Sequence, residues 1–583
     1  MKTTGLIRGL LARRSVTSFA STVAQCQNSI RWTTYRNYSA GTESVNRLKG
    51  DPQPVSTSSS AILLTALATA IATGSLTFYL TSQSQKNSDR GSIDHSFLDS
   101  DHTPRYGGKA EFLKALPELT KLLSTDRVTT DPDVLHAHGY SDWSTYNVET
   151  NPIAVVFPET TEEVSAIAKI CHLYKLPMIG FSGGSSLEGN FCAPHGGICI
   201  DFAHMNRIID VRPDDMDVTV QPAVGWMDLN KHLEEEGHGL FLAVDPGPTA
   251  QIGGMIATSC SGTNCVRYGP MRDHIVNMTV VLADGTIIKT KQRPRKSSAG
   301  YNLNHLFSGS EGTLGLVTEA TLKLHPVPEQ TSVAVCSFPS VRDATATSTD
   351  IIRAGIPVQA IELLDDKQMW AINQAGYTNR KWLEQPTLFI KFSGTKTYVK
   401  EQIDRAKNIA KIHSGSQFVF ARNDEEQHQL WAARKEALWS NLAVGPKGGK
   451  VYSTDVAVPM SKLANLVLAS QQRVAEINSD KVFATTLGHV GDGNFHCSII
   501  YTDEVRDDVV KLGKAIVKEG LALEGTCTGE HGVGAGKIEY LVDELGTEAV
   551  ALMRTVKIAL DPHQLLNPGK IFTDESLKRK SQK

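Results

Sequence analysis

The chain has 583 residues, more than one hydrophobic core usually organises, so two or more domains are expected. A formal net charge of -3 supplies no field that would recruit a polyanion, which argues against nucleic acid as a partner. Its 9 cysteines are odd in number and form no C-x-x-C pair, which argues against iron–sulfur clusters, zinc fingers and a disulfide framework.

The first segment, residues 1–42, carries Lys2, Arg8, Arg13, Arg14, Arg31 and Arg36, many Ser and Thr, and no acidic residue before Glu43. This is the composition of a mitochondrial presequence, and Leu6, Leu10 and Leu11 among the arginines fit an amphipathic helix on a membrane. Residues 61–80, AILLTALATAIATGSLTFYL, are uncharged. At ~1.5 Å rise per residue a helix of that length spans the ~30 Å hydrocarbon layer, so one transmembrane helix is expected. Basic residues precede it and Asp89, Asp94, Asp99 and Asp101 follow, which predicts an inner-membrane anchor with the catalytic part in the intermembrane space. Residues 81–106 are polar and Ser-rich and read as a tether.

A flavin-binding half is expected over 145–328. The run Ile153 to Phe157 reads as a buried strand, and Thr160-Thr161-Glu162-Glu163 as a capping box opening a helix with Val164, Ile167, Ala168 and Cys171 on one face. A second strand, Met178 to Phe181, runs into Ser182-Gly183-Gly184-Ser185-Ser186, whose amides and hydroxyls can cradle a diphosphate. Small residues then persist from Pro246 to Asn264, and a flat cofactor can lie against such a backbone. A helix-like stretch around Tyr301 to Phe307 precedes the loop Gly309 to Gly315, which enters a β-branched strand with Val317. No G-x-G-x-x-G follows a strand, and Gly532 to Lys537 lacks the Ser or Thr of a P-loop, so a nicotinamide cofactor is disfavoured.

These three segments, in this order, resemble the FAD-binding domain of the vanillyl-alcohol-oxidase and p-cresol-methylhydroxylase (PCMH) group of flavoproteins. The resemblance implies an α+β fold in which FAD lies between two small α+β subdomains. It implies that Ser182, Gly183, Gly184, Ser185 and Ser186 hold the pyrophosphate and that Gly253, Gly254, Ala257, Ser259, Ser261, Gly262, Thr263 and Asn264 line the flavin and ribityl chain. Glu311, Gly315 and Val317 complete the expected contacts, Val317 toward the adenine. FAD is expected to be non-covalent, since no histidine occupies the phosphate loop.

From 329 to 574 strands such as Leu388 to Phe392 alternate with helices, one of them carrying Trp431 to Glu436, and this reads as an α+β substrate cap. In Gly488-His489-Val490-Gly491-Asp492-Gly493-Asn494-Phe495-His496 the Gly-Asp-Gly turn can bring two imidazoles to one point, with Glu530 as a third ligand. Two His and one Glu with open positions suit catalytic zinc or non-haem iron. Asp492 reads as a turn residue.

Both blocks, with Asn567-Pro568-Gly569-Lys570, resemble the D-2-hydroxy-acid dehydrogenase branch of the FAD-linked oxidases, over roughly Thr145 to Phe572. The resemblance implies zinc or manganese on His489, His496 and Glu530, zinc being the expected metal, with His531 as the base beside the flavin and Asn567 at the isoalloxazine edge. Arg434 is the expected clamp for a substrate carboxylate. Relatives acting on D-2-hydroxyglutarate carry a lysine and an asparagine where this chain has Ser453 and Ser498, which points to a short monoacid, D-lactate. The anchor, presequence and catalytic blocks together resemble the members of that branch that reduce cytochrome c. The rival readings are a D-2-hydroxyglutarate dehydrogenase with another acceptor and a non-catalytic, membrane-anchored flavoprotein.

Overall fold

A computed structural model describes residues 104–477 and 479–572. The expected presequence, the span 61–80 and nearly all of the tether lie outside the described residues. Among the described residues, no helix is long and apolar enough to cross a membrane.

The first layer is a four-stranded sheet ordered Val128–Thr129, Ala154–Val156, Ile198–Asp201, Met178–Phe181. Its last three strands are parallel, with Val155, Cys199 and Ile179 in register, and all three are buried, as a crossover helix on a parallel sheet requires. That helix is Thr161–Tyr174, started by the Thr160 hydroxyl accepting from the Glu163 amide, and its Val164, Ile167, Ala168 and Cys171 enter the core beneath the sheet. The Thr160 cap and the apolar stripe act as read from the sequence, whereas the return half of the expected capping box does not form, because Glu163 Oε2 accepts from the Glu159 amide instead of that of Thr160.

This subdomain gathers chain from both sides of 145–328. Helix Lys109–Leu123 adds Ala115, Leu119 and Leu123 to the same core, and Leu565 and Leu566 join it from the far end of the chain. There the Met178 amide donates to Leu565 O and the Asn567 amide to Met178 O, so residues 565–567 lie beside the strand that feeds the diphosphate loop.

The second subdomain is an antiparallel five-stranded sheet ordered Ile208–Arg212, Asp217–Val220, Leu316–Lys323, Ile275–Val281, Ile287–Lys289. Within the small-residue stretch, Ile252–Thr258 forms a helix whose Ile252, Met255 and Ile256 pack on this sheet. Leu303–Phe307 is helical, as expected.

The cap is an eight-stranded antiparallel sheet with helices on both faces. Leu388, Ile390 and Phe392 point into one core and Phe389 into the other, so alternation along Thr387–Gly394 builds both layers. Helix Asp424–Lys435 covers the second face with Leu430, Trp431 and Ala433.

Candidate active site

The hairpin Val482–Gly488 and Asn494–Tyr501 supplies both histidines. Phe495, Cys497 and Ile499 enter the core, which turns His496 to the other face, while His489 follows the first strand. Gly493 permits the reversal: its φ is +75° and a Cβ there would lie 2.1 Å from Val458 O. The imidazoles meet edge to face with centroids 5.5 Å apart.

Each ring is oriented from behind. His489 Nδ1 donates to Glu362 Oε1 at 2.8 Å, and Glu362 Oε2 accepts from Arg434 Nε at 2.9 Å. His496 Nδ1 faces Thr454 O at 3.1 Å, and because a carbonyl only accepts, Nδ1 carries a proton and Nε2 is the atom turned to the site. Both Nε2 atoms converge on Glu530 Oε1, at 3.3 Å from His489 and 3.2 Å from His496. Two ring nitrogens and a carboxylate oxygen gathered at one point make a donor set that fits a divalent metal with open positions, each histidine steadied by a partner behind it. Burial pulls His489 down, yet Glu362 and Glu530 outweigh it and hold the imidazolium well above its ordinary range; burial pushes Glu530 up, yet His489 and His496 hold it well below the carboxylate range.

Glu530 and His531 are presented by the loop Gly529–Lys537, whose amides are met by buried acceptors. Asp455 Oδ2 takes the Glu530 and His531 amides, each at 2.9 Å, and the Thr528 hydroxyl at 2.8 Å, while Oδ1 takes Asn494 Nδ2. Glu311 takes the Val533 and Gly534 amides, and Glu188 O takes those of Ala535 and Gly536. His531 stacks on His496 at 13° with centroids 5.3 Å apart. Its Nδ1 has no hydrogen-bond partner among the described residues, but Glu188 Oε1 lies at 3.9 Å and Asp455 Oδ2 at 4.0 Å. Burial lowers the basicity of His531 and these two carboxylates more than restore it. Lys537 Nζ, 3.1 Å from Glu188 Oε1 and 3.8 Å from Asp455 Oδ2, balances part of that negative charge.

On the flavin side, the amides of Gly183 to Leu187 donate to no described residue, and a Cβ on Gly183 would lie 2.6 Å from Thr249 O. The loop thus offers free donors on a backbone that only glycine lets lie so close, which fits a diphosphate. Ser185 and Ser186 lie in this loop, Gly184 has φ +61°, and Ser182 Oγ donates to Gln251 Oε1 at 2.6 Å. Beside Gln251 opens a cavity of about 330 Å³ lined also by Asn206, Ala223, Gly225 and Asp228. Gly253 and Gly254 begin the helix Ile252–Thr258: a side chain on Gly253 would strike Pro222, whereas Gly254 faces open space. Ser261 Oγ donates to Glu530 Oε2 at 2.7 Å, joining the stretch expected to line the flavin to the candidate metal-ligand carboxylate.

Two family models match the two halves: "FAD binding domain" over residues 152–291 and "FAD linked oxidases, C-terminal domain" over 327–571. Among curated relatives, "D-lactate dehydrogenase [cytochrome], mitochondrial" of Kluyveromyces lactis is 46% identical over 526 residues, 88% of this chain and 90% of the relative. "D-lactate dehydrogenase [cytochrome] 1, mitochondrial" of Saccharomyces cerevisiae is 48% identical over 449 residues, 75% of this chain and 76% of the relative. The chain belongs to the D-lactate dehydrogenase [cytochrome] family of FAD-linked oxidases. It is an FAD-dependent oxidoreductase. The glycolate oxidase subunit GlcD of Bacillus subtilis is 34% identical, covering 76% of this chain and 93% of its own length. A solved structure of p-cresol methylhydroxylase with substrate bound superposes with TM-score 0.65 at 17% identity, covering 81% of this chain and 99% of that one, which shows the PCMH-type fold.

Within this family fold, several expected flavin contacts have their polar groups engaged by protein. Thr263 Oγ1 and the Asn264 amide donate to Asp245, Asn264 Nδ2 donates to Ala243 O, and a Cβ on Gly262 would lie 2.5 Å from Asp245 Oδ1. Ser259 accepts from Arg272 Nε, and Ala257 O accepts the Glu311 amide. A Cβ on Gly315 would lie 2.4 Å from Val280 Cγ1, and Val317 follows in the strand Leu316–Lys323. Asn567 Nδ2 donates to Asn190 O and Glu311 O, while its Oδ1 accepts from Lys570. Arg434 is pinned through Nε to Glu362 rather than solvated.

Asp455, Glu362 and Glu188, by their contacts with His489, Glu530 and His531, and Lys537, by its contact with Glu188, are candidate site residues that the sequence reading missed. Asp455 was legible as the neighbour of Ser453 and Thr454, and Lys537 as the end of a glycine-rich run, but nothing local marks either as a partner of His531.

Proposed function

We propose that this chain oxidises D-lactate to pyruvate by hydride transfer to non-covalent FAD, and that cytochrome c is the electron acceptor. The observation that carries the reading is the convergence of two imidazole Nε2 atoms on Glu530 Oε1 with the base His531 stacked on His496. The relatives' names support the substrate and the acceptor.

When bound, FAD would supply the two-electron acceptor, and a divalent metal, zinc in this reading, would supply Lewis acidity toward a 2-hydroxy acid. His489, His496 and Glu530 would hold that metal. His531 takes the hydroxyl proton on its Nε2, and the carboxylates of Glu188 and Asp455 near Nδ1 favour the ring that has gained it. Arg434, fixed through one N–H to Glu362, offers its remaining donors to the substrate carboxylate. Ser453 and Ser498 face each other in register on adjacent strands, and neither supplies a charge for a second carboxylate, in keeping with a monoacid. The relatives' mitochondrial names support the same compartment here, with the amino-terminal charge pattern favouring an inner-membrane anchor and an active site facing the intermembrane space.

The test is anaerobic addition of substrate to purified FAD-loaded protein. D-lactate bleaches the flavin absorbance, L-lactate does not, and cytochrome c is reduced under turnover. His531→Ala keeps its FAD and loses ~10²–10⁴-fold in the bleaching rate, the usual contribution of a general base. Bleaching that survives complete chelation of metal removes the metal from the mechanism, and faster bleaching by D-2-hydroxyglutarate transfers the chain to that substrate. Flavin that no 2-hydroxy acid bleaches leaves a non-catalytic carrier.

A further inference from the structure

Glu311 stands out among the residues expected at the flavin. It is buried, its backbone φ is +52°, and its polar atoms are directed toward protein: the amide donates to Ala257 O, the carbonyl accepts from Asn567 Nδ2, and the carboxylate accepts three hydrogen bonds. Oε1 takes the Val533 amide at 2.7 Å, and Oε2 takes the Gly534 amide at 2.7 Å and Asn190 Nδ2 at 2.6 Å. A non-glycine residue at positive φ is strained and persists only where surrounding bonds over-determine it. Here those bonds lead to the loop that carries Glu530 and His531.

The partner loop is shaped to receive that carboxylate. Gly532 has φ +81°, and a Cβ there would lie 3.0 Å from Glu311 Oε1 and 3.0 Å from Asn190 Nδ2. Gly534 has φ +51°, and a Cβ there would lie 2.0 Å from Glu188 O. The flavin half therefore grips the amides of residues 533–536 through Glu311 and the Glu188 backbone, while Asp455 of the cap grips the amides of Glu530 and His531. Three carboxylate-bearing residues from two halves of the chain hold one loop.

We infer that Glu311 is a positioning residue of the flavin half that fixes the Gly529–Lys537 loop, so that Glu530 and His531 stand in register with the metal histidines and the flavin. The inference rests on the proposed metal-and-base reading for its functional consequence, and on the hydrogen bonds alone for the loop. Its chemistry is specific. All three partners are N–H donors, so an amide at 311 would set its own NH₂ against one of them, whereas a carboxylate accepts from all.

Glu311→Gln decides it. In FAD-loaded, metal-stripped protein titrated calorimetrically with Zn²⁺, the variant keeps wild-type FAD stoichiometry, its Zn²⁺ Kd rises by about tenfold or more, and peptides spanning 529–537 exchange amide hydrogen faster while those spanning 182–191 are unchanged. Loss of FAD with unchanged Zn²⁺ affinity and unchanged exchange in 529–537 overturns the inference and makes Glu311 a flavin contact. If wild-type protein takes up no Zn²⁺, the metal reading fails by itself, and faster or unchanged exchange of 529–537 still decides the positioning role. Should Glu311→Gln not fold, Asn190→Ala removes one of the three donors and leaves both loop bonds; a smaller acceleration of the same segment is expected, and none overturns the inference.

Discussion

Two loops of this molecule are built on opposite plans. The diphosphate loop leaves the amides of Gly183 to Leu187 without acceptors among the described residues, whereas the loop Gly529–Lys537 hands six successive or near-successive amides, from Glu530 to Gly536, to acceptors inside the protein. Open donors make a site whose geometry is completed by an anion, since buried polar groups must find partners. Donors already met by carboxylates make a site whose geometry is fixed before any ligand arrives. The proposed cofactor cradle suits the first plan, but the proposed base and metal ligand on adjacent residues need the second, because an error of an ångström at a reacting group costs orders of magnitude in rate.

The sharpest way to break the contrast is to spoil the satisfied loop. Asp455→Asn is nearly isosteric, yet every partner of the Asp455 carboxylate is a donor, so an NH₂ in place of one oxygen strands either Asn494 Nδ2 or the group of Thr528, Glu530 and His531. An unmet buried donor costs ~1–3 kcal/mol, so kcat for D-lactate is expected to fall about 100-fold with FAD content unchanged and KM moving far less. Stopped-flow bleaching of the variant checks this; wild-type kcat would mean that the loop holds its shape without Asp455.

Spoiling the open loop has the complementary signature. In Gly183→Ala the new methyl meets Thr249 O at 2.6 Å, and relief of that contact moves the cradle. Overpacking costs ~1–3 kcal/mol, so the FAD Kd is expected to rise about tenfold or more, while kcat at saturating FAD stays within about twofold. Fluorescence titration of apoprotein with FAD gives the first number and steady-state assay the second. A variant in which kcat falls and FAD Kd does not would erase the distinction between the loops.

The open loop was the more legible of the two. Met178–Phe181 followed by Ser182 to Ser186 is a strand and a glycine-serine loop contiguous in the chain, and the helix Thr161–Tyr174 shows its stripe in fourteen residues and its cap, Thr160, just before them. His489, His496 and the turn between them are likewise local. What could not be read is what reaches the site from far away. Glu362 orients His489 across 127 positions and Asp455 meets the His531 amide across 76, and both are single acids on strands or strand ends with nothing beside them to mark a task. Glu311 and Asn567 were legible as members of motifs but not in their contacts, because a motif records that a residue type is needed and not which atoms it serves. The same limit hid helix Lys109–Leu123, whose role is set by a core assembled from both ends of the chain.

The smallest effect lies at the outer edge of the satisfied loop, and it is read in pH. Lys570 is fully buried, donates to Cys192 O, Pro568 O and Asn567 Oδ1, and so steadies the asparagine that holds the Glu311 carbonyl. Burial pulls its pKa down to about 8. An unfolded lysine titrates near 10.4, so from pH about 8 to about 10.4 the unfolded chain carries a proton that the folded chain has released, and stability rises with pH across that window. Below about 8 both states are protonated and the penalty for burying the cation is constant. In Lys570→Met the contribution is absent. The melting temperature of wild-type FAD-loaded protein, taken relative to that of the variant, is therefore expected to climb by a few degrees between pH 8 and 10.5. Parallel profiles would show that Lys570 stays charged throughout, held by its three acceptors, and that the outer edge of the loop is as firmly satisfied as its centre.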